Sequence, residues 1–313
     1  MINFLHTFHP SPIIFSFGPV NIYWYGICIV AGIIAAILVI LKLARFYNIK
    51  KDIIIDLAFW LVLAGILGAR IYHILLELPY YAEHPLDIFK IWQGGLAIHG
   101  GIIAGIIVIW IFAKKLPPLI TNKELGEVKS PLDKGGWGIF KKITISENQR
   151  STFWLLSAII APGLALAQAI GRWGNYFNQE NFGGPTSLSW GIPINPLNRP
   201  AEYISSPYFH PTFLYESIGN LIIFITLILF HQWIIKNKKQ NCVMCYVLCV
   251  MCYLIMYSIL RFFMEFIRID QTPELLGLRW PQVMSILIII ASIVILLKNK
   301  KIYANIKNSY YNN

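Results

Sequence analysis

Long apolar stretches alternate with shorter polar ones along the whole chain. Seven of the apolar stretches are long enough to cross the hydrocarbon of a bilayer, which takes roughly 20 helical residues. The pattern therefore predicts an all-α fold, a polytopic membrane protein with seven transmembrane helices. The predicted spans are 22–41, 53–76, 96–113, 153–170, 217–235, 242–260 and 280–297.

Two connections between the predicted spans are long. Residues 114–152 mix charges with prolines and a turn-rich segment, and we expect a flexible cytoplasmic loop there. Residues 176–212 are rich in proline and predict a small, irregular extracytoplasmic head. No internal repeat of fixed period is found, so the sequence gives no support to a repeat-built transporter. Residues 1–313 are predicted to form a single transmembrane domain.

The composition agrees with a membrane protein. Hydrophobic residues make up 57% of the chain and charged residues 13%, with a mean hydropathy of +0.60. Such a chain has too little polar surface for an ordinary soluble globule. The first 41 residues contain no lysine or arginine, so we expect the first span to be retained rather than removed as a secretory signal.

A net charge of +11 raises the question of nucleic-acid binding, which the positions of the basic residues answer. Nineteen of the 26 lysines and arginines follow the first, third, fifth and seventh spans. The positive-inside rule then places the N-terminus outside and the C-terminus in the cytoplasm, and no nucleic-acid partner is expected. Seven basic residues are not needed for this bias: Arg70, Lys90, Arg172, Arg199, Arg261, Arg268 and Arg279.

Four cysteines have spacings that resemble those of a metal site. Cys242, Cys245, Cys249 and Cys252 lie in an uncharged apolar run, where they form one stripe of a helix. A thiolate cluster would need compensating charge and further donors that this run lacks. We therefore expect helix packing, with no metal and no cofactor.

The first polar cluster, Gly94–Gly101, places His99 early in the third span. Histidine moves a proton most readily near neutral pH, which makes His99 a candidate base. Gly101 and Gly105 form a small-xxx-small pair that allows close helix packing. The alternative is a packing motif in which His99 makes an interhelical hydrogen bond.

The second cluster follows the fourth span, where Arg172 and Asn175 are three residues apart and Glu180 comes shortly after. A guanidinium group binds phosphate through two hydrogen bonds, and the asparagine amide both accepts and donates. Interfacial snorkelling would explain Arg172 alone, but it leaves Asn175 and Glu180 without a role.

The third cluster follows the sixth span. Tyr257, Arg261, Glu265 and Arg268 have helical spacing, so they are predicted to share one helical face, on which an ionic ladder would satisfy Glu265. A purely structural salt-bridge network is the alternative for Glu265 and Arg268. Arg261 enters the membrane border and calls for an anionic partner, for which a phosphodiester would serve.

Weaker candidates lie outside these three clusters. Tyr25 in the first span is explained adequately by an aromatic belt. The segment 210–216 returns into the fifth span and ends in a glutamate. Arg70 and His73, one turn apart in the second span, are expected to pair with Glu77 or to serve the pocket.

Four ordered motifs together resemble a known family. His-Gly-Gly, Gly-Arg-x-Gly-Asn-x-x-Asn-x-Glu, His-Pro-x-x-x-Tyr-Glu and Arg-Phe-x-x-Glu-Phe-x-Arg are similar in order and spacing to motifs of the bacterial prolipoprotein diacylglyceryl transferases. The resemblance extends from Trp24 to the last span. The chain departs from the family pattern at Tyr23, where a basic or imidazole side chain is expected, and in a longer loop at 117–150.

The resemblance implies an enzyme of the bacterial inner membrane that acts toward the extracytoplasmic face. Its partners would be phosphatidylglycerol, prolipoprotein signal peptides with a lipobox cysteine, and membrane lipids. The diacylglyceryl group would move to the cysteine thiol, releasing glycerol phosphate. Arg172 and Arg261 would stabilise the departing phosphate, and His99 is the candidate base, although the sequence leaves open whether His99 or Arg261 assists deprotonation.

The same resemblance assigns substrate-binding roles to eight residues. Asn175 and Tyr257 would donate or accept hydrogen bonds, while Glu180 and Glu265 would orient the guanidinium groups. The full set is Tyr25, Gly100, Gly101, Asn175, Glu180, Tyr257, Glu265 and Arg268.

Three other classes of protein are weaker interpretations. An anion channel or transporter would also carry intramembrane arginines, but here the charges gather toward one face. An intramembrane protease would need a Gly-x-Ser-Gly site, which the sequence lacks, or catalytic aspartates, and those available, such as Asp56 and Asp87, lie apart from the polar clusters. A structural scaffold would leave the ordered polar motifs without a purpose.

Overall fold

The computed structural model describes residues 2–18, 20–116, 137–240 and 242–311, and these are mainly helical. The helices are α1 (Ile2–Thr7), α2 (Trp24–Phe46), α3 (Lys51–Leu76), α4 (Leu78–Glu83), α5 (Ile98–Lys115), α6 (Trp137–Asn178), α7 (Thr212–Lys236), α8 (Val243–Met264) and α9 (Trp280–Tyr311). Short antiparallel strands pair as β1 (Ile13–Phe17) with β2 (Val20–Tyr23), β3 (Ile192–Pro193) with β4 (Tyr208–Phe209), and β5 (Glu274–Leu275) with β6 (Leu278–Arg279).

Within the described residues, seven helices are long and apolar enough to span a membrane. They are α2, α3, α5, α7, α8, the Gln149–Asn178 part of α6 and the Trp280–Lys300 part of α9. The predicted all-α fold with seven spans is therefore confirmed, and the chain is a multi-pass membrane protein. The fourth span continues past residue 170 to Asn178, because a helix satisfies its own backbone whether or not its side chains are apolar.

The connection between the third and fourth spans is shorter than predicted. Helix α5 continues to Lys115 and α6 begins at Trp137, so the second part of the predicted 114–152 loop is helical. Residues 117–136 lie outside the described residues. The polar residues at the start of α6 do not prevent helix formation, since helical hydrogen bonds need no apolar side chains.

The chain divides into two compact units. The first comprises Met1–Ile40, Ile160–Asn237 and Met244–Asn313, and the second comprises Leu41–Ile159 and Lys238–Val243. In the second unit α3 packs closely on α5. A Cβ atom on Gly68 would lie 2.6 Å from the Gly100 carbonyl oxygen and 2.6 Å from the Ala104 Cβ atom, so only glycine allows this approach.

In the first unit, α2 packs on α6 through small residues. A Cβ atom on Gly32 would lie 3.1 Å from the Ala167 carbonyl oxygen, and one on Gly163 would lie 3.0 Å from the Ala36 carbonyl oxygen. The head that follows α6 has its own apolar core, which Leu5 of α1 enters. This core consists of Leu5, Tyr176, Phe182, Ile192, Ile194, Phe209 and Phe213.

The buried Gln179 joins three segments of this head. Its side chain donates to the Pro10 carbonyl oxygen at 2.9 Å and accepts from the Asn195 backbone N–H at 2.6 Å. The backbone of Gln179 is left-handed, with φ of 51°, directly after α6 ends at Asn178. The head is thereby tied to the end of the helix that carries the second polar cluster.

Candidate active site

The second polar cluster forms a hydrogen-bonded chain at the end of α6. Arg172 Nη1 donates to Asn175 Oδ1 at 3.4 Å, one helical turn away. Asn175 Nδ2 in turn donates to Glu180 Oε1 at 2.6 Å. Asn175 thus both accepts and donates, as the sequence predicts, whereas Glu180 contacts the amide rather than the guanidinium group.

The third polar cluster is split by the end of α8. Arg261 Nη2 and Glu265 Oε2 form an ion pair at 2.8 Å, one turn apart, in agreement with the predicted ladder. The prediction that Arg268 shares this helical face is wrong, because α8 ends at Met264. Arg268 instead donates to Asp270 Oδ1 at 2.7 Å and to Asn181 Oδ1.

Glu216, in the second turn of α7, lies where the two clusters meet. Its Oε2 atom forms an ion pair with Arg172 Nε. Its Oε1 atom lies 3.5 Å from Arg261 Nη1 and 3.3 Å from Arg268 Nη1. Three guanidinium groups, one near the end of α6 and two at and just after the end of α8, therefore converge on one carboxylate that is 3% exposed.

Arg279 completes this group from the start of the last span. It donates to the carbonyl oxygens of Glu265 at 3.0 Å, Arg268 at 2.8 Å and Asp270, and its Nε donates to Thr272 Oγ1 at 2.9 Å. Its Nη1 atom also lies 3.3 Å from Glu265 Oε1. We call the ion-paired set the arginine cluster: Arg172, Arg261, Arg268 and Arg279 with Glu216, Glu265 and Asp270.

Asp270 and Arg268, which lie outside the membrane spans, stabilise each other's charged forms. Partial burial favours the neutral acid of Asp270, but the hydrogen bond from Arg268 and the charges of Arg268 and Arg279 outweigh it, so the pKa of Asp270 is lowered. Burial likewise opposes the charge of Arg268, but the hydrogen bond and charge of Asp270, with further charge from Glu216, raise its pKa. Both side chains stay ionised near neutral pH.

The four arginines differ in how many of their nitrogens are engaged within the described residues. Every side-chain nitrogen of Arg268 and of Arg279 has a hydrogen-bond or ion-pair partner. Arg261 Nη1 is buried and makes no hydrogen bond there, since its contact with Glu216 is an ion pair at 3.5 Å. Arg172 engages Nε and Nη1, which leaves Nη2 available. Arg172 and Arg261 are therefore the two with donors left for a ligand.

Two glycines bring neighbouring segments close to these groups. A Cβ atom on Gly174 would lie 2.8 Å from the Tyr25 ring, so the Gly-Arg-x-Gly spacing lets α2 approach α6 beside Arg172. A Cβ atom on Gly183 would lie 2.7 Å from the Ile267 side chain. The backbone of Gly183 forms a bridge with Arg268, which holds this arginine against the head. Tyr257 stacks on Tyr253 with ring centroids 6.1 Å apart.

The first polar cluster belongs to the second unit. His99 is exposed at the start of α5, with its ring centroid 5.8 Å from that of Tyr72. Among the described residues no hydrogen bond to the His99 ring is found, so the packing alternative with an interhelical bond gains no support. Gly100 is buried against α3, and a Cβ atom on Gly101 would lie 3.3 Å from the Gly65 carbonyl oxygen.

Arg70 does not pair with Glu77, which is one of the two roles that the sequence predicts for it. It is buried and donates to four backbone carbonyl oxygens: Ile88 at 3.0 Å, Gly94 at 2.8 Å, Gly95 at 3.1 Å and Asp87. Its guanidinium carbon also lies 5.2 Å from the centre of the Tyr81 ring. The segment after α4 returns to α3, so its carbonyl oxygens occupy the Arg70 guanidinium in place of Glu77. Arg70 thus orders the segment that leads to His99.

The sequence predictions did not include three members of the arginine cluster as site residues. Glu216 was a weaker candidate, although a lone carboxylate in an apolar span is itself a signal of function. Arg279 is among the seven basic residues that the charge bias does not require. Asp270 gave no signal, since it lies in a loop. Among the described residues, no group of three or more His, Cys, Asp or Glu side chains could hold a metal ion.

Comparison with known proteins gives consistent matches over most of the chain. Residues 12–123 and 136–298 match the family model described as prolipoprotein diacylglyceryl transferase. A phosphatidylglycerol–prolipoprotein diacylglyceryl transferase of Acaryochloris marina is 39% identical over 280 residues, which cover 89% of this chain and 86% of that protein. Proteins of the same name from Nostoc sp. and Fervidobacterium nodosum are 38% and 37% identical, covering 90% and 82% of this chain and 87% and 74% of their own lengths.

Proposed function

Because the chain belongs to the prolipoprotein diacylglyceryl transferase family, we propose that it transfers the diacylglyceryl group of phosphatidylglycerol to the lipobox cysteine of a prolipoprotein. The cysteine sulfur forms a thioether bond to the glyceryl carbon. The bond from that carbon to the phosphate oxygen breaks, and glycerol phosphate leaves with the electron pair. The thiol proton passes to a base.

The main support for this proposal is that Arg172 and Arg261 converge on Glu216, while each keeps a nitrogen without a hydrogen bond in the described structure. Their side chains are 22% and 18% exposed, so each guanidinium is only partly solvated. A phosphodiester could accept from Arg172 Nη2, and from the buried Arg261 Nη1 once it turns away from Glu216. Neither contact would displace the bonds that hold Arg268 and Arg279. Guanidinium donors fixed beforehand stabilise the charge of the leaving phosphate, which is the main demand of this reaction.

The charge of the arginine cluster also suits a lipid phosphate. The cluster contains four guanidinium groups and three carboxylates, which leaves one positive charge in excess. A phosphatidylglycerol headgroup carries one negative charge and would neutralise it. Glu180 lies outside these ion pairs and is exposed. A partly buried cation without an anion is costly, so the excess charge favours binding of a monoanion.

We assign the proton acceptor to His99. The thiol is mostly protonated at neutral pH, so attack requires a base or a field that favours thiolate. His99 is exposed and has an uncommitted imidazole in the described structure. The rate of transfer by His99→Gln across pH tests the role. An unchanged rate and an unchanged pH profile would show that His99 is not the base. The proposed role of the arginines would not be affected.

The remaining roles and the placement in the cell are part of the same proposal. With residues 1–313 acting as one catalytic domain, the family motifs support a substrate-binding role for each of five residues: Tyr25, Gly100, Gly101, Asn175 and Tyr257. The positive-inside pattern supports an extracytoplasmic N-terminus and a cytoplasmic C-terminus. Membership of the family supports placement in the bacterial inner membrane. Since the head follows the fourth span, the arginine cluster would then face outward, where secreted prolipoproteins emerge.

One experiment tests the activity directly. Purified protein is incubated with phosphatidylglycerol and a lipobox peptide, and the peptide is analysed by mass spectrometry. A mass increment of one diacylglyceryl group is expected on the cysteine, and none on a peptide with serine in its place. Anion flux through reconstituted vesicles without lipid turnover would instead favour a channel or transporter.

A further inference from the structure

Glu216 is the carboxylate that joins Arg172, Arg261 and Arg268. It lies on α7, one turn after the helix begins at Thr212, and its side chain is 4% exposed. Oε2 binds Arg172, while Oε1 is shared between Arg268 at 3.3 Å and Arg261 at 3.5 Å.

Close helix packing brings Arg261 to this carboxylate. Gly219 lies three residues after Glu216 on α7, and a Cβ atom there would come within 2.6 Å of the Leu260 side chain. Arg261 is the next residue on α8. The absence of a side chain at Gly219 therefore lets α8 approach the turn of α7 that carries Glu216.

The three contacts of Glu216 are unequal. Arg268 makes a hydrogen bond to it and is anchored on its other side by Asp270 and Asn181. Arg261 makes an ion pair with it but no hydrogen bond from Nη1, and Arg261 is anchored separately by Glu265. Arg261 can therefore turn Nη1 to another anion without losing its anchor, while Arg268 remains bound to Glu216.

We infer that Glu216 is a positioning residue: it holds the three guanidinium groups near one another, and its contact with Arg261 breaks when phosphatidylglycerol binds. Arg261 then binds the lipid phosphate. This inference rests on the proposed function. Glu216 itself does not touch the lipid, but it sets the directions of Arg172 and Arg261 and offsets like-charge repulsion among the three arginines. No covalent bond changes at Glu216. The carboxylate acts by charge and by position.

Removal of the Glu216 charge should affect lipid binding and the rate of transfer differently. In Glu216→Gln the excess charge of the arginine cluster rises by one, so phosphatidylglycerol should bind at least as tightly. The guanidinium groups, however, would no longer be held in direction, and small misplacements at a reacting centre cost on the order of 10²-fold in rate. We expect kcat to fall by about that factor while KM for phosphatidylglycerol falls or stays the same.

The test compares the intact wild-type protein with Glu216→Gln, Glu216→Asp and Glu202→Gln, measuring kcat and KM for phosphatidylglycerol in lipobox-peptide transfer. Glu202 is exposed in the head and serves as the matched control, expected to behave as wild type. Glu216→Asp keeps the charge, so its kcat should lie between that of Glu216→Gln and that of the wild type. Loss of fold alone would not produce this ranking.

The outcomes distinguish the inference from the function on which it rests. Absence of transfer by the wild-type protein would overturn the proposed function. Transfer by the wild type with wild-type kcat in Glu216→Gln, or with a raised KM and unchanged kcat, would overturn only the role of Glu216. If Glu216→Gln does not fold, the result for Glu216→Asp is used instead. A kcat at least tenfold below that of the wild type, with a KM no higher than that of the wild type, supports the inference. Any other result overturns it.

Discussion

Gly68 and Gly100 lie against each other where α3 meets α5, because a Cβ atom on Gly68 would come within 2.6 Å of the Gly100 carbonyl oxygen. The glycine after His99 is thus a packing residue, whatever it does for substrate. The contact fixes the start of α5, and with it the position of the His99 backbone relative to α3.

Gly100→Ala should therefore destabilise the protein. The added methyl group would overlap α3, where a Cβ atom would lie 2.5 Å from the Tyr72 Cβ atom, and overpacking of this kind costs about 1–3 kcal/mol. Thermal unfolding in detergent measures the effect. Gly105→Ala is the control, since its nearest neighbour is the Leu61 side chain at an ordinary 3.8 Å. Equal stabilities of the two variants would contradict the packing role.

Gly174→Ala should lower the rate of diacylglyceryl transfer by about tenfold or more, because a displacement near 1 Å at a site can have such an effect. The new methyl group would press on Tyr25, 2.8 Å from its ring, and push α2 away from Arg172. Gly171→Ala in the same motif meets only Ile29, at 4.0 Å, and should keep its activity. A full rate for Gly174→Ala would show that this approach is not needed.

Arg172→Lys and Arg261→Lys should each reduce kcat/KM by about 10²-fold or more, the usual effect of losing one fixed donor to a developing anion. Lysine keeps the charge but not the planar pair of donors. Arg199→Lys provides the comparison, since Arg199 donates only to the Ile194 and Ile204 carbonyl oxygens within the described head. Near-normal rates in the first two variants would mean that charge alone suffices.

Arg70→Gln should lower the free energy of unfolding by about 1–3 kcal/mol, because Arg70 is buried and four partly buried carbonyl oxygens would lose its donors. The matched surface change is Lys90→Gln. Lys90 forms an exposed ion pair with Asp87 at 2.5 Å, and such pairs contribute about 0–1 kcal/mol. Hydrogen exchange of residues 85–97 should increase in Arg70→Gln. Unchanged exchange there would refute the ordering role.

The pairing of Asp270 predicts how stability depends on pH. Its pKa is lowered in the folded protein, so the unfolded chain binds the proton more readily. The stabilisation is thus fully present above the unfolded pKa, near 3.9, and is lost as pH falls through the lower folded pKa. The difference in unfolding temperature between wild type and Asp270→Asn should be constant from pH 5 to 7 and narrow below pH 4. A constant difference throughout would contradict the pairing.

The sequence identified the residues with uncommitted donors better than it identified their partners. Arg172 and Arg261 stood out because permanent charges at the end of apolar runs are costly without an anion. The spacing predicts Arg268 on the same helical face as Arg261, which is wrong because α8 ends at Met264, although both side chains still reach Glu216. Pairing with Glu77, one of the two roles predicted for Arg70, is not found for a similar reason: helical spacing cannot anticipate carbonyl oxygens brought back by a later loop.

The amino-acid sequence by itself determined the seven spans, the motif residues and the family resemblance, since hydropathy and spacing are local properties of the chain. Only the tertiary structure decided which charges meet. Glu216 and Arg268 are 52 residues apart in the chain, and their contact depends on where α7 begins, where α8 ends and how closely the head packs. Ion pairs across such separations follow from helix packing, which no local pattern encodes.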